Sequence, residues 1–128
     1  MNFDITCEQQ DIESPLQTTK EVEEAIQSLS TDENYSDILI EVEPAFDNII
    51  VLMVDYVRKE EGGLFKKKKV TDMYYRVHAV VNMHEEEDFI NYYYKASSYE
   101  EVRNIVLDFI EGKRTPSVHN WTTDKRLY

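Results

Sequence analysis

A chain of 128 residues buries about two thirds of its unfolded surface on folding, enough for one hydrophobic core without disulfide or metal staples, so a single domain over 1–128 is expected. Its net charge of −12 is segregated, because residues 1–55 hold fourteen Asp or Glu against one base, Lys20, whereas residues 56–128 hold twelve acids and thirteen bases. The acidic half would repel a nucleic-acid backbone and attract a basic protein, so direct nucleic-acid binding is not expected; the same charge also serves plain solubility.

The chain opens with Phe3, Ile5 and Cys7 alternating against Asn2, Asp4 and Thr6, a short strand over 3–7. A polar stretch follows to Pro15. Thr18 then stands three residues before Glu21, the spacing of a capping box, and Val22, Ala25, Ile26 and Leu29 recur at the helical period, so a first helix is expected over 20–29. A polar loop at 30–34 ends it.

Ile38, Ile40 and Val42 line one side of a strand over 37–42, and a β-branched run over 48–57 follows. A short hairpin loop holding Pro44 and Asp47 is expected between them. In the second strand Ile50, Leu52, Val54 and Tyr56 would share a side, with Ile49, Val51 and Met53 opposite. Apolar on both sides, it is expected at the centre of a sheet covered on both faces. Glu60, Glu61, Gly62 and Gly63 followed by lysines at 66–69 predict an exposed hairpin tip. Residues 73–81 and 89–95, separated by the acidic turn at 85–88, complete four neighbouring antiparallel strands.

Ser98 and Glu101 repeat the capping logic for a second helix over 99–111, with Val102, Ile105, Val106 and Phe109 buried and Gly112 as a left-handed terminator. A tail through Pro116 and Trp121 ends the chain, with Trp121 expected to cap the sheet edge or the second helix. The resulting class is α+β: a mainly antiparallel sheet of about four to five strands with two helices packed on one face.

Chemistry is thinly supplied. His78, His84 and His119 fall in a strand, a turn and the tail, with no spacing that suits zinc. Cys7, the single cysteine, reads as a small buried residue rather than a nucleophile. The carboxylates at 85–88 lack the alternating ligand spacing and central glycine of a calcium loop, and Gly62–Gly63 lacks the surroundings of a phosphate loop. No catalytic residue, metal site or cofactor is therefore expected, and the chain is read as a binding protein rather than an enzyme.

The start never develops a basic-then-apolar export signal, and the longest apolar stretch, 49–54, is far below the ~18–20 residues of a membrane-spanning helix. With one cysteine, a cytoplasmic location and no membrane contact are expected. Tyr92, Tyr93 and Tyr94 form the densest aromatic feature; alternation sends Tyr93 to one face and its neighbours to the other.

Residues 15–26, the tyrosines at 92–94, Ser98 to Arg103, Phe109 to Pro116 and Trp121 together resemble a bacterial polymorphic-toxin immunity family, the first of the numbered immunity families, which is often paired with nucleic-acid deaminase and other toxin domains. The family's aromatic strand, capped helix, Gly-x-Arg-Pro-like turn and terminal tryptophan occur here in the same order. Thr115 departs from that pattern by separating Arg114 from Pro116, and lysines at 66–69 stand where relatives carry Gly-rich hairpins. The resemblance implies an immunity protein that neutralises a cognate toxin domain by stoichiometric binding, the toxin being basic and nucleic-acid-directed. Asp37, Glu41, Glu43, Asp47 and Asp55 are the candidate acidic contacts, with Tyr92 and Tyr94 as anchors. The competing reading is a non-catalytic adaptor or self-assembling regulatory protein, a homo-oligomer.

Overall fold

The computed structural model describes residues 1–61, 69–83 and 89–123. Its elements in chain order are β1 (Asn2–Gln9), β2 (Ile12–Pro15), α1 (Thr19–Thr31), β3 (Tyr35–Phe46), β4 (Ile49–Glu61), β5 (Lys69–Asn82), β6 (Phe89–Ala96), α2 (Tyr99–Ile110), a 3-10 turn (Val118–Asn120) and β7 (Thr122–Thr123). The α+β class, the two helices and the four neighbouring antiparallel strands are as expected. The sheet is wider, with seven antiparallel strands in the order β2-β1-β3-β4-β5-β6-β7.

The extra width comes from two elements with weak local signals. Gln10 and Asp11, both at positive φ (50° and 64°), turn β1 back into β2 with Gln9 opposite Ile12. This two-residue turn has the twist hairpins prefer, yet carries no glycine to announce it. β7 is only two residues, laid against Tyr92 and Tyr93.

The N-cap bonds form as expected, but neither glutamate returns to its cap residue's amide: Glu21 accepts from the Thr18 hydroxyl at 3.1 Å and Glu101 from the Ser97 amide at 3.2 Å. Thr18 Oγ1 accepts from the Glu21 amide at 3.1 Å, and Ser98 Oγ accepts from the Glu101 amide at 3.2 Å. α1 extends past residue 29 to Thr31. In α2 the buried residues are Val102, Val106, Leu107 and Phe109, with Ile105 only half-buried, and Gly112 takes the left-handed conformation at φ +69°.

The hairpin between β3 and β4 is tighter than expected. Asp47 and Asn48 alone form the turn, at φ 46° and 68°, with Phe46 opposite Ile49, so Pro44 falls inside β3 at an irregularity between Glu41 and Phe46. A bulge between Ile49 and Val51 sets Ile50 out of alternation. Ile49, 1% exposed, therefore joins Leu52 and Val54 in the core.

β4 is central, but among the described residues only one of its faces is covered, where cover on both was expected. Both helices pack on one face, burying Cys7, Ile38, Ile40, Leu52, Val54, Val77 and Ala79 under Val22, Ile26, Leu29, Val102, Val106 and Phe109. Phe109 anchors that layer between Phe3 and Phe46, with ring centroids 5.5 and 5.6 Å away. None of Leu39, Val51, Met53, Val57, Tyr74, Val80 or Tyr93 belongs to this core or packs against it.

β4 and β5 pair as far as Glu61 and Lys69. The expected glycine- and lysine-bearing tip between them and the acidic turn at 85–88 lie outside the described residues, save the backbone of Glu61 and Lys69. Among the described residues no helix is long and apolar enough to cross a membrane.

Candidate functional site

Strand register sorts the uncovered sheet face into rows. Glu8, Asp37, Asp55, Arg76 and Lys95 lie side by side across β1, β3, β4, β5 and β6. The next row is Thr6, Leu39, Met53, His78 and Tyr93, and the one beyond is Asp4, Glu41, Val51, Val80 and Asn91. Together the rows place Asp4, Glu8, Asp37 and Glu41 on β1 and β3, Val51 and Met53 on β4 with Leu39 and Val80 beside them, and Arg76, His78, Asn91, Tyr93 and Lys95 on β5 and β6, with Asp55 of β4 between the acids and Arg76. Period-two alternation makes this possible, since every second residue of five adjacent strands faces away from the helices.

The acidic end is electrostatically strained. Burial, then the charges of Glu8, Asp55 and Glu13 and a hydrogen bond to Glu8, push the Asp37 carboxyl above its ordinary value. Asp55 is relieved by Arg76, whose Nε donates at 3.1 Å and Nη2 at 2.5 Å to the two carboxylate oxygens. This bidentate pair fixes the guanidinium and raises its pKa, chiefly through that hydrogen bond.

The other end is internally paired. Lys95 Nζ donates to Asp72 at 2.8 Å and lies 4.4 Å from the Tyr74 ring. His78 stacks on Tyr93 with centroids 4.4 Å apart, and its Nε2 donates to the Asn91 carbonyl at 2.6 Å. The Arg76 guanidinium sits 5.9 Å from the Tyr93 ring.

Asp37, Glu41 and Asp55 thus share one face, and Glu43, opposite Asn2, continues it to the end of β3. Asp47 sits apart in the turn, where its carboxylate accepts from the Thr115 hydroxyl at 2.6 Å. The structure does not bring Tyr92 and Tyr94 to the acids. Register places them beside Ala79 and Val77 on the helix-covered face, where Tyr94 stacks on Trp121 at 5.3 Å. Trp121 caps that stack, as expected for the tail.

Among the described residues the tyrosines on the acid-bearing face are Tyr93 and Tyr74, and alternation along β6 adds Phe89. Alternation along residues 92–94 separates the tyrosines into two sets; which set lies with Asp37 depends on register across four strands, which single-strand periodicity does not carry. Register likewise sets Glu8 beside Asp37 and Leu39 beside Met53, which no single strand's pattern shows.

Concavities lie both off this face and on it. One of about 460 Å³ separates α2 from the tail and is lined by Tyr94, Glu101, Ile105, Asp108, Arg114 and Trp121 among others. Its charges are matched internally: Arg114 pairs with Asp108 at 2.9 Å, and Glu101 accepts from the Ser97 amide. Another, about 380 Å³, lies at the acid-bearing face itself, bordered by Asn2, Asp4, Glu41, Glu43 and Val51.

Cys7 is 3% exposed, and burial followed by the charge of Asp37 pushes its thiol up to about 11. At neutral pH it is therefore protonated. Among the described residues no three His, Cys, Asp or Glu side chains are grouped to hold a metal ion; His84 is outside them. The chain matches no protein-family model, no curated protein and no solved structure.

Proposed function

We propose that this chain is an immunity-type binding protein that captures a basic toxin domain one to one and blocks it. The observation that carries the reading is the concentration of unrelieved acid on β1 and β3. Asp4, Glu8, Asp37, Glu41 and Glu43 share a sheet face with Asp55, and only Asp55 has a salt bridge to a base among the described residues. The partial likeness of residues 15–26, 92–94, 98–103, 109–116 and Trp121 to an immunity family supports a toxin as the partner class. A cytoplasmic setting belongs to the same proposal.

The mechanism follows from charge. An enzyme acting on nucleic acid presents a positive site to a polyanion. An acidic face laid over that site is drawn in by the same field and excludes the substrate by occupation and repulsion. No catalytic group of the inhibitor takes part.

The reading is tested by tagging the protein, capturing partners from its source at low and moderate salt, and titrating the captured domain's activity. A basic toxin domain held one to one, released by salt and silenced at one equivalent, is expected. Recovery of a homo-oligomer alone, with no basic partner, would contradict it and favour the self-assembling adaptor.

A further inference from the structure

Resting on that reading, we infer that the partner docks on the uncovered face of the sheet, through a basic protein surface that presents arginine or lysine beside an apolar anchor. The helix-covered face is closed by α1, α2 and the tail. The uncovered face carries a contiguous apolar strip of Leu39, Val51, Met53 and Val80, all outside the core. Carboxylates border that strip on one side and paired bases on the other, so the face has a polarity that fixes how a partner can sit.

Within the acidic border the residues are not equivalent. Asp55 already holds Arg76 in a two-point pair, so it has least to gain from an incoming cation. Asp37 faces Glu8 across the β1–β3 pair, with Glu13 and Asp55 close enough to oppose its ionisation. An arginine or lysine seated between Glu8 and Asp37 would relieve that repulsion, and its neighbours would cover Leu39 and Met53. Tyr93, rigidly stacked on His78, would supply the aromatic contact expected of an interface anchor.

The charge also decides among occupants. A second copy would bring two chains of net charge −12 together with acidic borders on each, and a nucleic acid would meet Asp4, Glu8, Asp37, Glu41 and Glu43 directly. A basic protein surface alone is favoured by the carboxylates of Asp4, Glu8, Asp37, Glu41 and Glu43, unpaired with a base among the described residues.

The test uses the whole chain and a hexapeptide of alternating arginine and tryptophan as probe, followed by backbone-amide and methyl NMR. Saturable shifts are expected on β1, β3 and β4 and on the side chains of Leu39, Val51 and Met53, with affinity falling roughly tenfold in the double variant Glu8→Gln/Asp37→Asn. The control Glu21→Gln/Glu24→Gln on the exposed side of α1 should leave affinity unchanged. Shifts centred on α1, α2 or the tail, or equal weakening by both double variants, would overturn the inference. So would a dimer in sedimentation that Met53→Glu dissociates. If the probe maps to this face while no toxin is captured, the docking surface stands and the immunity reading falls. If a captured toxin protects other surfaces instead, the reverse holds.

Discussion

Asp37 sits where its ionised form is disfavoured. Burial and the neighbouring carboxylates raise its pKa in the folded state above the ordinary carboxylate value. A raised folded pKa means that the group's stabilising contribution is fully present below the unfolded value and is lost as pH rises through the folded one. At neutral pH the charged Asp37 therefore opposes folding. Asp37→Asn should raise the denaturation midpoint at pH 7, and the gain should vanish as pH falls below about 4; an unchanged or lowered midpoint at pH 7 would argue against the repulsion described. Such a residue gives up stability at a position that a cation can complete, as binding sites commonly do.

Cys7 obeys the same linkage at the other end of the scale. Its thiol moves from 9.0 to about 11, so its contribution to stability is complete below about 9 and disappears as pH rises through about 11. Thiol-specific reagents at pH 8 should label the native chain far more slowly than the unfolded one; equal rates would show that the thiol is neither buried nor suppressed. The alternation around Cys7 made its burial legible in the sequence. The part played by Asp37 was not, since the two residues lie on adjacent strands thirty positions apart.

At the scale of elements, the helix starts were readable because a cap is local. Thr18 and Ser98 each act on an amide three residues away, and Ser98→Ala should cost about 1 kcal/mol of stability by chemical denaturation. The helix end was not readable. α1 has no base in its last turn; instead Arg58, from β4, donates to the carbonyls of Leu29 and Ser30 at 3.3 and 3.1 Å, while its guanidinium lies 4.8 Å from the Tyr56 ring. Arg58→Gln should cost about 1–2 kcal/mol, through lost charge–dipole and hydrogen-bond stabilisation, whereas a neutral result would show those carbonyls to be satisfied without it. β2 and β7 escaped detection for physical reasons: the Gln10–Asp11 turn achieves positive φ without glycine, and two residues of β7 are too few to show alternation.

Over the whole molecule, charge and topology coincide. The acidic half of the sequence becomes β1 to β3, α1 and the first part of β4, and the more basic half supplies the rest of β4, β5, β6 and α2. The apolar pattern of β4 suggested cover on both faces, yet two short helices cover only one side of a seven-stranded sheet. Among the described residues nothing covers the apolar strip on the other face, which leaves it open to a docking partner. The candidate acids were legible as charges in a strand pattern; their union with Glu8, Met53 and Tyr93, and their separation from Tyr92 and Tyr94, required the register.

The most direct measurement is the association rate of the captured basic partner at low and moderate salt, for the native chain and for Glu8→Gln/Asp37→Asn/Glu41→Gln. The native rate should fall roughly tenfold or more as salt screens the face, and the variant should start slower with a markedly flatter dependence. Equal rates and equal salt dependence in the two proteins would contradict an interface on the acidic, uncovered sheet.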